Sequence, residues 1–447
     1  MKILYVIPDG IDLGGIITAT EAHIAGLQEI GHDVTFIRLR DTVTGGVQGR
    51  SRKKNYDSDQ WAVSNYKGIE VHPLLGWTGP YYSMNNPRDI SAVRNIIASH
   101  ELVIWGLLFG FKNDNTCADP IWMDLFDEDT PAITILHDDH LWDRQAWIAN
   151  LDKHAIQGWA CVHHCSYHLS EGLRGRRALI FNGHDVSSLS RRTFRPWTIR
   201  KDVFSVQNAK PWKKVNKFVA MARHLGPRVG RALLGGDGIE LRYMRSKEKC
   251  KDAYKEGGVP IWQLAEESGR FKWLGPMGEA VRDSEMRVAS FLCDFSTRKN
   301  AGMFNRVFVE AALQGCITLA NPKFMSGQNG EAKDLLRPGR HYLPVDTELS
   351  PVEIAQQVTE HVGNMTSRRY TEMQENLRDL CLYRFDRVMV ARQLVELGLG
   401  KPTGFAPGLE MSQLYYSPTG PGDKDKARRA FSDMMYNFGQ AFSHEET

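Results

Sequence analysis

TRKNAGMFNRVFVEAALQGCITLANP, residues 297–322, is the stretch that decides the fold. Its pattern predicts a glycine-containing loop, a short helix with Glu310 near its middle, a stop at Gly315 and a strand over residues 317–320. A carboxylate just past the first turn of such a helix can accept hydrogen bonds from two adjacent ribose hydroxyls, while the helix N-terminus faces phosphate. The stretch therefore suggests a nucleotide-diphosphate ligand bound by an α/β domain.

Length and composition indicate a soluble globular protein of two domains plus a tail. The chain has 447 residues, of which 42% are hydrophobic and 24% charged. That length exceeds what one hydrophobic core usually serves. We expect a cytoplasmic protein, because no run of about eighteen apolar residues is present and residues 1–7 lead into a strand without a signal-peptide pattern. The seven cysteines are scattered and odd in number, which favours free thiols.

Basic residues are unevenly placed although the formal net charge is only +3. They concentrate in residues 50–54, 174–177, 191–201 and 210–217, with Trp197 and Trp212 interleaved. Such segments suit a duplex backbone and an extruded base, and they suit a solvated surface equally well. The candidate contacts to a nucleic acid are Arg52, Lys53, Lys54, Arg174, Arg176, Arg177, Arg191, Arg192, Lys213 and Lys214.

The first ~40 residues predict the opening of a parallel sheet. A strand over residues 2–7 precedes Gly14 and Gly15, and a helix that stops at Gly31 leads to a second strand over residues 34–39. The G-x-G-x-x-G dinucleotide pattern is missing. Gly14 and Gly15 either turn the chain only or bring backbone amides close to a donor phosphate or sugar.

Further strands are predicted over residues 102–105, 132–136, 160–163 and 178–181. The second of these runs into HDDH, residues 137–140, so His137 and Asp138 project from the sheet edge toward any ligand there. A histidine can donate to a sugar hydroxyl and an aspartate can accept from one. Two alternatives remain: a capping cluster for the next helix, or a metal site completed by other histidines. The acidic residues 127–129 are better explained as a solvated loop than as ligands of a divalent ion.

The second half predicts a second α/β unit. We expect the domain boundary near residues 186–215 and the first strand of the unit over residues 218–222. Arg223 and Arg228 would lie on the loop leaving that strand, where guanidinium groups can hold two phosphates. Strands over residues 271–274 and 290–295 follow, then helices over 351–362 and 369–397. Residues 400–422 are predicted to be a Gly- and Pro-rich linker, and residues 424–442 a terminal helix.

These pieces together resemble the GT-B glycosyltransferases. The resemblance rests on two parallel-sheet domains, the Gly14-Gly15 loop, the N-G-x-D segment at 182–185, Arg223 with a basic residue five positions on, and Glu310 before LQGC. Within that fold the chain is most similar to the retaining kind that includes the bacteriophage α-glucosyltransferase acting on hydroxymethylated DNA bases. The resemblance implies two Rossmann-like doubly wound domains facing across a cleft, with a C-terminal helix crossing back. The implied divisions are residues 1–190, 191–385 and 386–447.

The resemblance also implies roles for individual residues. His137 and Asp138 would contact the transferred sugar as catalytic residues, and Glu310 would bind the ribose. The other implied donor-binding residues are Gly14, Gly15, Arg223, Arg228 and Asn305. Where many relatives carry a second glutamate, this chain has Gly302.

The implied reaction moves a sugar, with retention, from a nucleotide sugar such as a UDP-sugar, without a metal and with no permanently bound cofactor. The implied acceptor is a hydroxymethylated or otherwise hydroxylated base in double-stranded phage DNA, in the host cytoplasm. A cell-envelope glycan or small metabolite is the alternative acceptor. A non-catalytic scaffold that binds nucleic acid or a partner protein is the alternative class.

Overall fold

The computed structural model describes residues 1–8, 15–40, 81–83, 87–106, 125, 129–137, 156–162, 167, 170, 173–187, 189, 194, 201–207, 213–246, 248–296, 306–325, 336–401 and 403. The chain divides into two compact units. Unit 1 comprises Met1–Asp185 with Arg384–Thr447, and unit 2 comprises Val186–Tyr383.

Within the residues that the structure describes, unit 1 contains a parallel sheet of seven strands in the order β3-β2-β1-β4-β5-β6-β7. The strands are β1 (Lys2–Pro8), β2 (Asp33–Arg40), β3 (Tyr81–Ser83), β4 (Leu102–Trp105), β5 (Ala132–Leu136), β6 (Gly158–Cys161) and β7 (Arg176–Leu179). Helix α1 (Gly15–Glu29) connects β1 to β2, and α2 (Pro87–Ala98) precedes β4. The order reverses between β1 and β4, as in doubly wound α/β folds.

Both faces of this sheet are covered, because alternate side chains of each strand enter different apolar clusters. Leu4 and Val6 pack on the face shared with α2, whereas Ile3, Tyr5 and Ile7 pack on the opposite face with α1. The central strands are consequently buried along their whole length and read as continuous apolar runs.

The C-terminal part of the described chain contains two helices where one was predicted over residues 369–397. Helix α10 (Ser367–Arg384) ends before Asp386, which caps α11 (Arg387–Gly398) by accepting a hydrogen bond of 2.9 Å from the Val388 amide. Helix α11 belongs to unit 1, where Val390 and Leu394 join the apolar cluster on the α1 face. The side-chain cap explains the break, since it satisfies a backbone donor at a new helix start.

The described part of unit 2 contains a parallel sheet of six strands in the order β12-β9-β8-β13-β14-β15, and a small antiparallel pair, β10 (Lys255–Glu256) with β11 (Val259–Pro260). The sheet strands are β8 (Val203–Val206), β9 (Ala232–Gly235), β12 (Phe271–Gly275), β13 (Phe291–Asp294), β14 (Ile317–Ala320) and β15 (Leu343–Pro344).

The α-helices among the described residues of unit 2, apart from α10, are α3 (Val215–Ala222), α4 (Ile239–Arg245), α5 (Ile261–Glu267), α6 (Glu279–Val288), α7 (Arg306–Leu313), α8 (Pro322–Met325) and α9 (Pro351–Gly363). This sheet also reverses its order, between β8 and β13.

The prediction of a strand over residues 218–222 is wrong. These residues lie in α3, and the first strand of unit 2 is β8, inside the segment predicted as the domain boundary. The reason is visible in the spacing: Val215, Phe218, Val219 and Ala222 recur at i, i+3, i+4 and i+7, and all four are buried on one helical face.

Several other strand predictions agree with the structure to within two residues. The strands over residues 102–105, 132–136 and 317–320 are confirmed residue for residue. Those over 160–163 and 178–181 begin two residues earlier, as β6 and β7. The predicted terminal helix and all but residues 400, 401 and 403 of the predicted linker lie outside the described residues. Within the described part of the chain, no helix combines the length and apolar character needed to cross a membrane.

Candidate functional site

The reversals of strand order locate one candidate ligand site in each unit. In doubly wound sheets, ligands bind outside the carboxyl ends of the strands where the order reverses. In unit 2 this switch point lies between β8 and β13, and in unit 1 between β1 and β4. The side chains that matter are therefore those just beyond these strands and those on the helices that begin there.

Two buried side chains meet at the switch point of unit 2. Gln207 directly follows β8 and Asp294 ends β13, and the Gln207 Nε2 donates to the Asp294 Oδ1 over 3.3 Å. The same Asp294 oxygen accepts from the Ser296 amide at 3.2 Å. These bonds tie together the chain segments that leave the two strands, so the base of the candidate site is held in place.

Lys213 and Lys214 immediately precede α3, the helix that follows β8. Both were predicted to contact nucleic acid, but the structure places them at the carboxyl edge of the second sheet. Lys214 is the residue before the helix and has a φ of 51°, the left-handed region; among the described residues it is the one non-glycine residue with positive φ. Such a conformation costs an L-residue about 1 kcal/mol and often marks a functional turn. Two lysines beside a helix N-terminus favour an anion there.

Glu310 lies in the middle of α7, as predicted, and its side chain is almost fully buried at 7% exposure. Gly315 ends this segment with a φ of 72°, which confirms the predicted stop. The Glu310 Oε2 is 3.0 Å from the NH1 of Arg282, which lies in the first turn of α6. A buried carboxylate needs such a partner, because desolvation of an unpaired charge is costly.

The Arg282–Glu310 ion pair belongs to a polar network between α6 and α7. The Arg282 NH2 also donates to the Asp283 Oδ1 at 3.2 Å, and the Asp283 Oδ2 accepts from the Gln314 Nε2 at 3.3 Å. The Gln314 Oε1 accepts from the Arg287 Nε at 2.8 Å. Sequence reasoning missed Arg282 because nothing local distinguishes it from other surface arginines.

Arg223 and Arg228 do not lie on a loop that follows a strand, as predicted, but on the segment between α3 and β9. Arg223 follows the last residue of α3, forms an ion pair with Glu256 and donates from its Nε to the His224 Nε2 at 2.9 Å. Arg228 is exposed and donates to the Gly363 carbonyl at 3.3 Å. Both precede β9 and thus lie at the amino edge of the sheet, opposite the switch point. Their predicted diphosphate role loses its structural basis.

In unit 1, Gly15 is the first residue of α1 and His137 directly follows β5, so both occupy the carboxyl edge of the sheet. Gly14 and Asp138 lie outside the described residues. Gly106 directly follows β4, and a Cβ there would lie 2.5 Å from the Tyr5 ring, so only glycine permits this close packing.

A buried histidine lies beneath this edge and was missed by sequence reasoning. His23 of α1 is within 2.9 Å of the Tyr5 hydroxyl through its Nδ1, and it is 1% exposed. Burial first, and the proximity of His137 second, lower the pKa of His23 to about 3. His23 is therefore neutral at physiological pH.

Three other basic residues that were predicted to contact nucleic acid are described by the structure: Arg174, Arg176 and Arg177. Arg174 and Arg176 are exposed near the start of β7, at the amino edge of the sheet and opposite His137. Arg177 lies 4.7 Å over the Tyr167 ring and donates to the Tyr167 carbonyl at 3.0 Å, so it packs against the protein. Besides Gly14 and Asp138, the candidates outside the described residues are Arg52, Lys53, Lys54, Arg191, Arg192 and Asn305.

The described residues contain no group of three His, Cys, Asp or Glu side chains placed to hold a metal ion. The histidines at 163, 164 and 168 and the acidic residues 127 and 128 are not among them. The five cysteines that the structure describes are buried free thiols, and burial raises the pKa of Cys293 well above its usual value.

Comparison with protein-family models and with curated protein sequences gives no match. Comparison with solved structures does. HepE from Anabaena in complex with UDP and glucose is 17% identical, with a TM-score of 0.58, covering 89% of this chain and 98% of that one.

Two further structures cover 89% of this chain and 99% of their own, each with a TM-score of 0.58. They are a TarM variant from S. aureus in complex with Fondaparinux, α-GlcNAc-glycerol and UDP, 8% identical, and an α-glucosyltransferase in complex with UDP and DNA containing an HMU base, 10% identical. The two doubly wound parallel sheets and this likeness show that the chain has the GT-B fold.

Proposed function

We propose that the chain is a glycosyltransferase that takes a sugar from a UDP-sugar and binds the nucleotide at the carboxyl edge of the second sheet. The observation that carries the proposal is Glu310: a buried, ion-paired carboxylate on the helix that follows β13, beside the switch point of a GT-B unit. HepE and TarM, which share the fold, were solved with UDP.

In this proposal Glu310 accepts hydrogen bonds from the ribose hydroxyls. Lys213, Lys214 and the N-terminus of α3 replace Arg223 and Arg228 as the groups that neutralise the diphosphate. Positive charge and backbone amides aimed at the leaving diphosphate stabilise the charge that develops as the glycosidic bond breaks.

In this proposal the transferred sugar binds at the carboxyl edge of the first sheet. His137 and Asp138 contact its hydroxyls, and Gly14 and Gly15 allow close approach of the donor. The reaction retains the anomeric configuration, with the leaving diphosphate accepting the acceptor proton. The anomeric coupling constant of the product in the ¹H NMR spectrum tests this part, and an inverted product contradicts it.

The proposed acceptor is a hydroxylated base in double-stranded DNA. Support comes from the basic runs of the sequence and from the fold shared with an α-glucosyltransferase solved with DNA containing an HMU base. Binding through phosphate contacts predicts that log K falls with log salt by about 0.9 per contact. A binding constant for hydroxymethylated duplex that does not change with salt contradicts this acceptor.

A glycan or small metabolite is the second candidate acceptor, favoured by the TarM neighbour, whose structure contains α-GlcNAc-glycerol. A radiolabelled transfer assay that offers hydroxymethylated duplex, unmodified duplex and glycan acceptors in parallel separates the two. Label in hydroxymethylated duplex alone is the expected result.

The donor half of the proposal is tested by a thermal-shift screen of nucleotide sugars. A nucleotide present at a hundred times its Kd stabilises the protein by about 2.7 kcal/mol. We expect UDP and UDP-sugars to raise the melting temperature and other nucleoside diphosphates to raise it less. No shift with any nucleotide sugar, together with intact DNA binding, would instead indicate a non-catalytic scaffold.

A further inference from the structure

We propose that Arg282 is a positioning residue for Glu310 and thereby sets a preference for a ribonucleotide over a 2′-deoxyribonucleotide. The inference deepens the proposed function and rests on it. Arg282 is not assigned by the sequence pattern, and it lies on α6, a different helix from Glu310.

The ion pair between Arg282 and Glu310 is largely buried. The side chains of Arg282 and Glu310 are 18% and 7% exposed, and their charged atoms are 3.0 Å apart. At this degree of burial the ion pair confines the orientation of the Glu310 carboxylate, because a carboxylate turned away from the arginine would be a desolvated charge without its partner. A carboxylate has about four acceptor positions, so it can bind an arginine and ribose hydroxyls together.

The Arg282 side chain is itself fixed by hydrogen bonds to Asp283. Asp283 accepts from its Nε at 3.3 Å and from its NH2 at 3.2 Å, and Gln314 donates to the other oxygen of Asp283 at 3.3 Å. Gln314 lies four residues after Glu310, and its backbone N–H donates to the backbone carbonyl of Glu310 at 3.2 Å. These side-chain bonds hold the Arg282 guanidinium between α6 and the end of α7, and the ion pair then limits the directions that the Glu310 carboxylate can take.

A carboxylate with a fixed orientation can distinguish a ribose from a 2′-deoxyribose. A site whose buried carboxylate is aimed at a diol rejects a ligand that lacks one hydroxyl, because a charged acceptor then loses its partner. A carboxylate that is free to rotate could accept a hydrogen bond from water when the ligand lacks a hydroxyl. The affinities for the two nucleotides would then differ less. Arg282 therefore contributes to the choice between UDP and 2′-deoxy-UDP, beyond any contribution to general stability.

The test is isothermal titration of the full chain with UDP and with 2′-deoxy-UDP. We expect the wild type to prefer UDP by about tenfold or more, the scale of a lost hydrogen bond to a charged group. Arg282→Ala should reduce the preference to within about threefold, chiefly through weaker UDP binding. Arg231→Ala is the matched control, since it removes a surface ion pair of 3.4 Å with Asp202 at the amino edge of the same sheet.

A preference that survives Arg282→Ala, or an equal loss of affinity for both nucleotides, overturns the inference. If the alanine variant does not fold, Arg282→Lys is decisive. A single ammonium lacks the forked donors of guanidinium, so the variant should fold and show an intermediate preference, and an unchanged preference refutes the proposal. Absence of UDP binding by the wild type is a separate result and overturns the proposed function itself.

Discussion

Lowering the pH from 7 to 5 should destabilise both units, because each buries a neutral histidine. His23 in unit 1 and His341 in unit 2 both have a pKa lowered to about 3, in each case mainly by burial. The proximity of His137 adds to the effect at His23, and the charges of Arg340 and Arg337 add to it at His341. As the pH falls below about 6.5, the unfolded chain protonates these residues first.

The size of this loss of stability follows from the difference between the numbers of protons that the unfolded and the folded chain bind. Each histidine lowers the free energy of unfolding by about 1.4 kcal/mol per pH unit between pH ~6.5 and ~3, and contributes no further change above or below that window. At pH 5 the loss is about 2 kcal/mol for each histidine. Stability therefore rises with pH through this window and levels off near neutrality as far as these two groups are concerned.

Urea unfolding at a series of pH values, followed by tryptophan fluorescence, measures this loss. The informative variants are His23→Asn and His341→Asn, because asparagine keeps a polar atom near the Nδ1 position that bonds to Tyr5 or to the Arg337 amide. Each variant should lose about 2 kcal/mol less than the wild type between pH 7 and pH 5. The reasoning fails if both variants lose as much stability as the wild type over that interval.

Two substitutions test the packing. Gly26→Ala in α1 would put a Cβ 2.3 Å from the Arg387 carbonyl oxygen of α11, so we expect a loss of about 1–3 kcal/mol in thermal unfolding; unchanged stability would show that the two helices do not meet in this way. Tyr370→Phe removes a hydroxyl that donates to the carbonyls of Ser290 at 2.8 Å and Gly315 at 3.1 Å. It should cost about 1–3 kcal/mol in urea unfolding, since buried acceptors lose a donor, and a loss below 0.5 kcal/mol would argue against these bonds.

Gly363→Ala is the matched control for Gly26→Ala. Its added Cβ would meet only the Arg228 side chain, at 3.1 Å from the Cδ, and that flexible side chain can move. We expect a change within about 0.5 kcal/mol, in either direction, as for most surface substitutions.

The parts of the fold and site that the sequence predicted correctly are those with local causes. The helix around Glu310, the stop at Gly315 and the following strand lie within fifteen consecutive residues, and each follows from spacing or from glycine's access to positive φ. The buried strand before His137 was likewise recognisable as a short apolar run.

The parts that were missed depend on contacts between distant segments. Arg282 acquires its role from the packing of α6 against α7, which joins residues 28 positions apart. His23 is buried only because α1 lies on the sheet beside Tyr5. Lys213 and Lys214 looked like any basic run until the position of β8 placed them at the switch point.

The donor site has a direct test in the UDP affinity of Glu310→Gln, measured by isothermal titration against the wild type. Glutamine keeps the shape of the side chain but removes the charge that strengthens hydrogen bonds from ribose hydroxyls. Glu372→Gln is the control, because Glu372 forms an exposed ion pair with Arg368 on α10 in the same unit. We predict that Glu310→Gln weakens UDP binding at least tenfold while the control binds as the wild type does. Equal UDP affinity in all three proteins would contradict the assignment of the donor site to Glu310.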